Sequence, residues 1–230
     1  MNNILSEKDY QRFLLERLEK DNGYVIRKAA NFDRLFAVDR EMLFKFLNDT
    51  QPDTMEYLRK IYKDDLEDTI VSFINAETTK ARGSLIEVLK HGIEISNQKL
   101  ELMYTKPATT FNPELTRKYG QNIFSVMEEV WASDKERIDM VIFLNGLAII
   151  SFELKCNTAG QSYQDAIYQY RTERNPKTRL FLFKAGCLVN FAMDLEEVYM
   201  TTKLAGDATF FLPFNMGNGE GVTAGAGNPT

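Results

Sequence analysis

The 230-residue chain has little of what several enzyme classes require. It contains one histidine, His91, and two cysteines, Cys156 and Cys187. Every Ser-His-Asp or Cys-His mechanism would have to use His91, which follows a predicted helix and has no obvious partner there, so we interpret it as a surface or helix-end residue. Two cysteines supply neither a disulfide framework nor a metal cluster, and we therefore expect a reducing cytoplasm.

Membrane and nucleotide-binding signals are also missing. No apolar run is long enough to cross a bilayer, and no secretory signal is present, so we expect no membrane partner. The phosphate-binding pattern G-x-x-x-x-G-K-[ST] does not occur. Asp and Glu number 33 against 28 Lys and Arg, a formal net charge of −5. This balance argues against a free-standing, nonspecific nucleic-acid binder.

The most informative stretch covers residues 137–155, RIDMVIFLNGLAIISFELK. Two apolar runs are joined there by Asn145-Gly146, the strongest short-range signal for a β-hairpin. Both runs are rich in β-forming residues and are almost entirely apolar. The pattern predicts a hairpin that is buried on both faces, in the centre of a sheet.

Three ionisable residues interrupt this hairpin, although charged side chains are rarely buried without a partner or a metal. Glu153 and Lys155 are two residues apart on one strand and share a face, while Asp139 lies on the partner strand near the same end. Two carboxylates meeting there would suit Mg²⁺, which polarises phosphate oxygens and acidifies bound water. Lys155 could position that water or neutralise developing charge. A lone Glu-x-Lys pair is ordinarily a cross-strand ion pair or a solvated edge, and the third charge favours a site.

The register of the hairpin decides whether the carboxylates share a face. A plain two-residue turn would put Asp139 opposite Phe152, and its side chain would then face away from Glu153. A shared site requires an offset of one residue. Either a three-residue loop with Gly146 in the left-handed conformation or a β-bulge between the two carboxylates would supply it.

These residues resemble a known family. Asp139, followed after thirteen residues by Glu153-Leu154-Lys155, resembles the D…ExK signature of the PD-(D/E)xK nucleases. The segment IDMVIFLNGLAIISFELK is followed by a polar stretch and the predicted helix QDAIYQYR. Together they resemble the N-terminal nuclease domain of the type I restriction enzyme R subunit (HsdR). The resemblance extends from SEKDYQRFLLERL to the tail FLPFNMGNGEGVTAGAGNP.

The resemblance implies an α/β restriction-endonuclease-like fold with a mixed central sheet flanked by helices and a helical N-terminal lobe. It also implies Mg²⁺-dependent cleavage of double-stranded DNA. Asp139, Glu153 and the backbone carbonyl at Leu154 would bind the metal, and Lys155 would assist the attacking water. ATP would be used only by motor domains absent from this chain. The partners would be the modification and specificity subunits of a restriction complex.

The family places a glutamine on the helix that follows the hairpin, and Gln169 matches it. The usual pattern Q-x-x-x-Y fails there, because Glu173 stands four positions later. Gln164 and Tyr168 have the required spacing one turn earlier, which makes Tyr168 a further candidate. The plain alternative is an exposed amphipathic helix.

Two further predictions concern charged residues outside the hairpin. Glu7 could approach the metal, since the family often carries a carboxylate on its first helix, or it could simply interact with the helix dipole and solvent. Arg171 and Arg174 belong to a basic segment after the hairpin and could contact DNA phosphates, or they could simply be solvated.

We predict one endonuclease domain over residues 1–212, with a helical lobe at about 39–90, and a flexible Gly-rich linker over 213–230 that would lead to the motor. A first helix should begin after the cap Ser6 and end at residues 21–23. Beyond the hairpin and its following helix, four short β-like runs should complete the sheet: residues 179–183, 188–192, 198–202 and 209–212.

Two other functions stay open on the sequence. One is a noncatalytic module that docks DNA or partner subunits, which metal binding would distinguish from a nuclease. The other is a solitary repair or junction-resolving nuclease of the same fold. Whether a motor is encoded after residue 230 would decide between that nuclease and a restriction subunit.

Overall fold

The predicted hairpin lies at the centre of a mixed β-sheet. The computed structural model describes residues 6–109 and 111–214. The strands are β1 Val25–Arg27, β2 Phe32–Asp33, β3 Val38–Asp39, β4 Ile93–Ile95, β5 Gln98–Leu100, β6 Phe124–Trp131, β7 Arg137–Leu144, β8 Leu147–Leu154, β9 Val189–Met193, β10 Val198–Thr201 and β11 Leu212–Pro213. The helices are α1 Glu7–Asn22, α2 Arg40–Thr50, α3 Pro52–Tyr62, α4 Leu66–Thr79, α5 Leu85–His91, α6 Pro113–Tyr119 and α7 Tyr163–Thr172.

The strand order of the main sheet is β1-β6-β7-β8-β9-β10-β11, and β3 joins β8 at its turn end while pairing with β2. The pairs β1–β6 and β8–β9 are parallel, and the other neighbours in this order are antiparallel. Strands β4 and β5 form a second, two-stranded sheet. The predicted α/β fold with a mixed central sheet is confirmed.

The turn between β7 and β8 contains two residues, both with positive φ: 49° at Asn145 and 80° at Gly146. This is the conformation of a type I′ turn, which Asn-Gly favours. Asn145 is fully buried, and its side chain accepts a hydrogen bond from the backbone N–H of Ile123 and donates one to the carbonyl of Leu102. A Cβ at Gly146 would lie 2.4 Å from the carbonyl oxygen of Asp39. The turn is therefore packed inside the protein.

A β-bulge supplies the offset that the sequence requires. Phe143 pairs with Ala148, but its neighbour Ile142 pairs with Ile150, so Ile149 is the extra residue on β8. The prediction of a bulge is confirmed, and the alternative of a three-residue loop is wrong. The turn keeps its two-residue geometry because the extra residue lies within the strand.

Helices cover both faces of the central strands. Helix α7 contributes Tyr170 to a cluster with Val141 and Phe143, whereas α1 contributes Leu15 to a cluster with Met140 and Ile142. The alternation of these β7 residues between two clusters explains why the strand sequence is apolar throughout. Helices α2–α5 form the helical lobe, and their apolar core continues into the turn end of the hairpin.

The first helix forms as predicted, because the Ser6 hydroxyl accepts a hydrogen bond from the backbone N–H of Asp9 and Gly23 ends the helix with a φ of 70°. Residues 179–183 form turns rather than the predicted strand. Leu180 and Phe181 are buried there against the α7 cluster, so burial rather than strand pairing explains their apolar character. The sequence analysis did not predict helix α6 or the pair of strands β2 and β3.

The C-terminal boundary needs one correction. Pro213 pairs with Tyr199, and the Phe214 N–H donates to the carbonyl of Val198, so residues 213 and 214 belong to the sheet. The rest of the predicted linker, residues 215–230, lies outside the described residues. Cys156 and Cys187 are free and buried. Within the described ranges, no helix has the length and apolarity that a bilayer crossing demands.

Candidate active site

The bulge brings the two hairpin carboxylates to neighbouring positions on one face. Pairing resumes beyond it with Met140 opposite Phe152, which makes Asp139 and Glu153 the next cross-strand pair. The Asp139 carboxylate accepts a hydrogen bond of 2.7 Å from the backbone N–H of Leu154. The arrangement places both carboxylates at the end of the hairpin opposite the turn.

Glu153 is fully buried and uses only one of its carboxylate oxygens. Its Oε1 accepts a hydrogen bond of 2.7 Å from Nε of Arg174. Its Oε2 is also buried and has no hydrogen-bond partner among the described residues. Because buried polar atoms are nearly always paired, an orphaned carboxylate oxygen marks a position for a cation or a proton donor.

Lys155 follows directly at the end of β8 and is almost completely buried. Its Nζ donates to Oε2 of Glu7 at 3.1 Å and to the carbonyl oxygen of Leu154 at 3.0 Å. Helix α1 therefore brings Glu7 to the site, ion-paired rather than merely solvated. The carbonyl proposed as a metal ligand is the one that Lys155 contacts here.

The first turns of α1 also hold the other strand of the hairpin. The side-chain amide of Gln11 is buried and donates a hydrogen bond of 2.6 Å to the backbone carbonyl of Asp139. Gln11 is four residues after Glu7, so both project from one face of the helix. The sequence analysis missed Gln11, because no motif marks it, although its spacing from Glu7 was a usable signal.

A third acidic residue lies near the pair on the neighbouring strand β6. Glu129 has a φ of 55°, unusual for a residue with a side chain, and it falls between two regular cross-strand pairs of β6 and β7. Arg137 Nε lies 2.9 Å from Glu129 Oε2, but the two are misaligned for a hydrogen bond. The sequence analysis missed Glu129, since a single acid within a strand carries no signal.

The carboxylates of the candidate site suit Mg²⁺ better than a metal that takes all its ligands from protein side chains. Across residues 6–109 and 111–214, no three His, Cys, Asp or Glu side chains are arranged to hold a metal ion. Mg²⁺ is typically bound through one or two carboxylates and keeps several waters. Asp139 and the unpartnered oxygen of Glu153 satisfy that smaller requirement.

Both carboxylates are harder to ionise than usual. Burial raises the pKa of Asp139 to about 6, although the Leu154 N–H opposes the shift. Burial first, and the charge of Asp139 second, raise the pKa of Glu153 to about 8, against the opposing effect of Arg174. Without a cation, the protonated forms of both carboxylates are therefore favoured over what is usual for Asp and Glu, and a bound cation would displace these protons.

These pKa shifts predict that the metal-free chain loses stability as the pH rises. Between the ordinary pKa of 4.5 for glutamate and about 8, folded Glu153 binds a proton that the unfolded chain releases. Stability is thus highest below that window and falls through it, by an amount on the order of a few kcal/mol. Urea unfolding in a chelator, at about pH 5 and about pH 9, measures it. Glu153→Gln should show a smaller decrease, and equal pH dependence in both proteins would contradict the assignment.

The two glutamines of α7 occupy different environments. Gln169 has a side-chain oxygen that is buried and without a partner in the described part of the chain. Gln164 and Tyr168 are exposed, the latter by 62%. Which of the two assignments applies, Gln169 or the pair Gln164 and Tyr168, stays a prediction.

The two arginines proposed to contact DNA also differ. Arg171 is partly exposed and donates to the carbonyl of Thr209. Arg174 is buried and paired with Glu153, so its predicted place on a phosphate-binding surface is corrected. Its guanidinium points into the site and not towards solvent.

A family model described as the type I restriction enzyme R protein N terminus matches residues 4–209. No curated protein matches the chain.

Proposed function

The chain belongs to the family of type I restriction enzyme R protein N termini, and we propose that it cleaves double-stranded DNA by Mg²⁺-dependent hydrolysis of phosphodiester bonds. One structural observation supports the proposal in addition to the family membership. The partly buried Asp139 and the fully buried Glu153 are adjacent and lie beside the buried Lys155, and one oxygen of Glu153 has no partner among the described residues.

Asp139, Glu153 and the backbone carbonyl of Leu154 are the groups that would hold the cation. When bound, Mg²⁺ supplies Lewis acidity to a phosphate oxygen and lowers the pKa of a coordinated water. Lys155 has three N–H donors on a nearly buried stem, already directed at Leu154 and Glu7. It would donate to the attacking water or to the charge that develops on the phosphate. Gln169 is proposed to assist, with Tyr168 as a weaker candidate.

The remaining parts of the activity are assigned to the rest of a restriction complex. We propose that modification and specificity subunits recognise the DNA site, and that motor domains beyond this chain use ATP to translocate it. The chain would act in the cytoplasm, where free cysteines such as Cys156 and Cys187 stay reduced. Residues 1–212 with the short β11 extension would form the nuclease domain, and residues 215–230 would link it to the motor.

Metal binding by the 230-residue chain tests the proposal. Addition of Mg²⁺ should raise the melting temperature, since a ligand at about 100 times its Kd stabilises the folded state by about 2.7 kcal/mol. Asp139→Asn should abolish the shift. Asp49→Asn is a matched control, because Asp49 is an exposed acid whose ion pair is with Lys45, on the helical lobe. If the melting temperature of the wild type does not change with Mg²⁺, the chain is better explained as a noncatalytic docking module.

A further inference from the structure

We infer that Arg174 is a positioning residue of this site, which holds Glu153 by one carboxylate oxygen and leaves the other free for the cation. The inference rests on the function proposed above. It replaces the surface role that the sequence suggested for Arg174.

The guanidinium of Arg174 joins three elements at one point. Arg174 follows the end of α7; its Nε donates to Glu153 Oε1 on β8 at 2.7 Å, and its Nη2 donates to the carbonyl of Arg137 on β7 at 3.0 Å. Its side chain is only 5% exposed. Because a guanidinium is planar and rigid, these two bonds fix its orientation and with it the orientation of Glu153.

The pairing differs from the usual arrangement of arginine with a carboxylate. Arginine commonly binds both carboxylate oxygens with two parallel hydrogen bonds. Here the second donor is directed to the Arg137 backbone, and Glu153 Oε2 has no hydrogen-bond partner in the described part of the chain. A purely structural ion pair in a fully buried position would be expected to satisfy both oxygens. The open oxygen is the expected result if that atom is reserved for a ligand.

Arg174 is also the cation that pairs directly with Glu153. Among the described residues, it is the one whose side chain forms an ion pair with Glu153, and Asp139 has no ion pair. The nearby Lys155 is paired with Glu7. When Glu153 is ionised, as it would be with a bound cation, Arg174 compensates its charge without occupying the second oxygen.

An alternative role makes the opposite prediction. If Arg174 were a stand-in cation that blocks the site, its removal would strengthen metal binding. If it positions Glu153, its removal weakens metal binding, because the freed carboxylate can rotate or take up a proton. The sign of the change in affinity distinguishes the two roles, and a change in stability alone does not.

The test measures Mn²⁺ binding to the 230-residue chain by electron paramagnetic resonance. Arg174→Gln is expected to weaken binding by about 10- to 100-fold, the usual effect of losing a partner of a metal ligand. Arg174→Lys retains the positive charge but loses the planar guanidinium with its several N–H donors, and it should give an intermediate affinity. Arg179→Gln is the matched control, because Arg179 is also hydrogen-bonded internally but contacts Asn75, Thr78 and the Ala185 carbonyl instead of a carboxylate.

Wild-type or tighter affinity in Arg174→Gln would overturn the inference. If that variant does not fold, Arg174→Lys decides, since wild-type affinity there would show that the guanidinium geometry is not needed. The failure of the proposed function gives a different result: wild type would not bind Mn²⁺, or Asp139→Asn would bind it equally well. Circular dichroism of each variant establishes that the compared chains are folded.

Discussion

Asp139→Asn and Glu153→Gln are each expected to eliminate DNA cleavage by the complete restriction complex while ATP hydrolysis continues. Each substitution removes an anionic oxygen from the proposed Mg²⁺ ligands and leaves the shape of the side chain almost unchanged. A bound metal ion contributes several kcal/mol to catalysis, so the cleavage rate should decrease by at least about 100-fold to 1,000-fold. Linearisation of a plasmid with one recognition site measures cleavage, and a coupled assay measures ATP hydrolysis.

The stability of these variants depends on the replacement residue. Glu153→Ala would leave Arg174 buried without its partner, and the loss of one member of a buried ion pair typically destabilises a protein by about 3–5 kcal/mol. Glu153→Gln keeps an oxygen that can accept the Arg174 hydrogen bond. In Asp139→Asn, an amide oxygen can still accept from the Leu154 N–H. Cleavage that persists in either conservative variant would contradict the nuclease assignment.

Lys155→Met is expected to abolish cleavage while metal affinity is retained. The thioether preserves much of the side-chain volume but removes the ammonium that would stabilise the water or the phosphate. Effects of such donors are about 100-fold to 10,000-fold in rate. Because Lys155 is not a proposed metal ligand, the Mg²⁺-dependent rise in melting temperature should persist, and loss of the Leu154 contact could enlarge it.

Lys8→Met is a suitable control for this variant. Lys8 is exposed on α1, next to Glu7 in sequence, and has no ion pair among the described residues. It should leave both cleavage and metal binding unchanged. If Lys155→Met cleaves DNA at the wild-type rate, Lys155 is a structural partner of Glu7 only. If it loses Mg²⁺ binding as well, its ammonium acts through the metal ligands.

The hairpin could be predicted from the sequence because its determinants are local. Asn145-Gly146 specifies the turn, and uninterrupted apolar runs on both sides require a buried strand pair. The need for a one-residue offset followed from alternation alone. The choice between loop and bulge did not, because both devices give the same offset and differ only in packing around residue 149.

The groups that support the site could not be predicted in this way. Arg174 reaches Glu153 across 21 positions and Gln11 reaches Asp139 across 128 positions, and both contacts depend on how helices pack on the sheet. The basic composition around Arg174 suggested a solvated segment, whereas its position after α7 turns the side chain inward. The prediction of a strand at residues 179–183 was wrong for a related reason, since buried turns and buried strands can share an apolar composition.

The hairpin is anchored at its turn and carries the two carboxylates of the candidate site near its other end. Its buried turn is fixed by Asn145 and by the close approach of Gly146 to Asp39. Asp139 precedes Leu144, the last residue of β7, by five positions, and Glu153 follows Leu147, the first residue of β8, by six, so the carboxylates lie roughly 17–20 Å from the turn at about 3.3 Å per residue. Strands β6 and β9 pair with the outer sides of β7 and β8, and α1 and α7 pack on their two faces, so the hairpin is held along its whole length. The spacing of Asp139 and Glu153 is therefore set by the interior of a sheet and does not depend on the conformation of a surface loop.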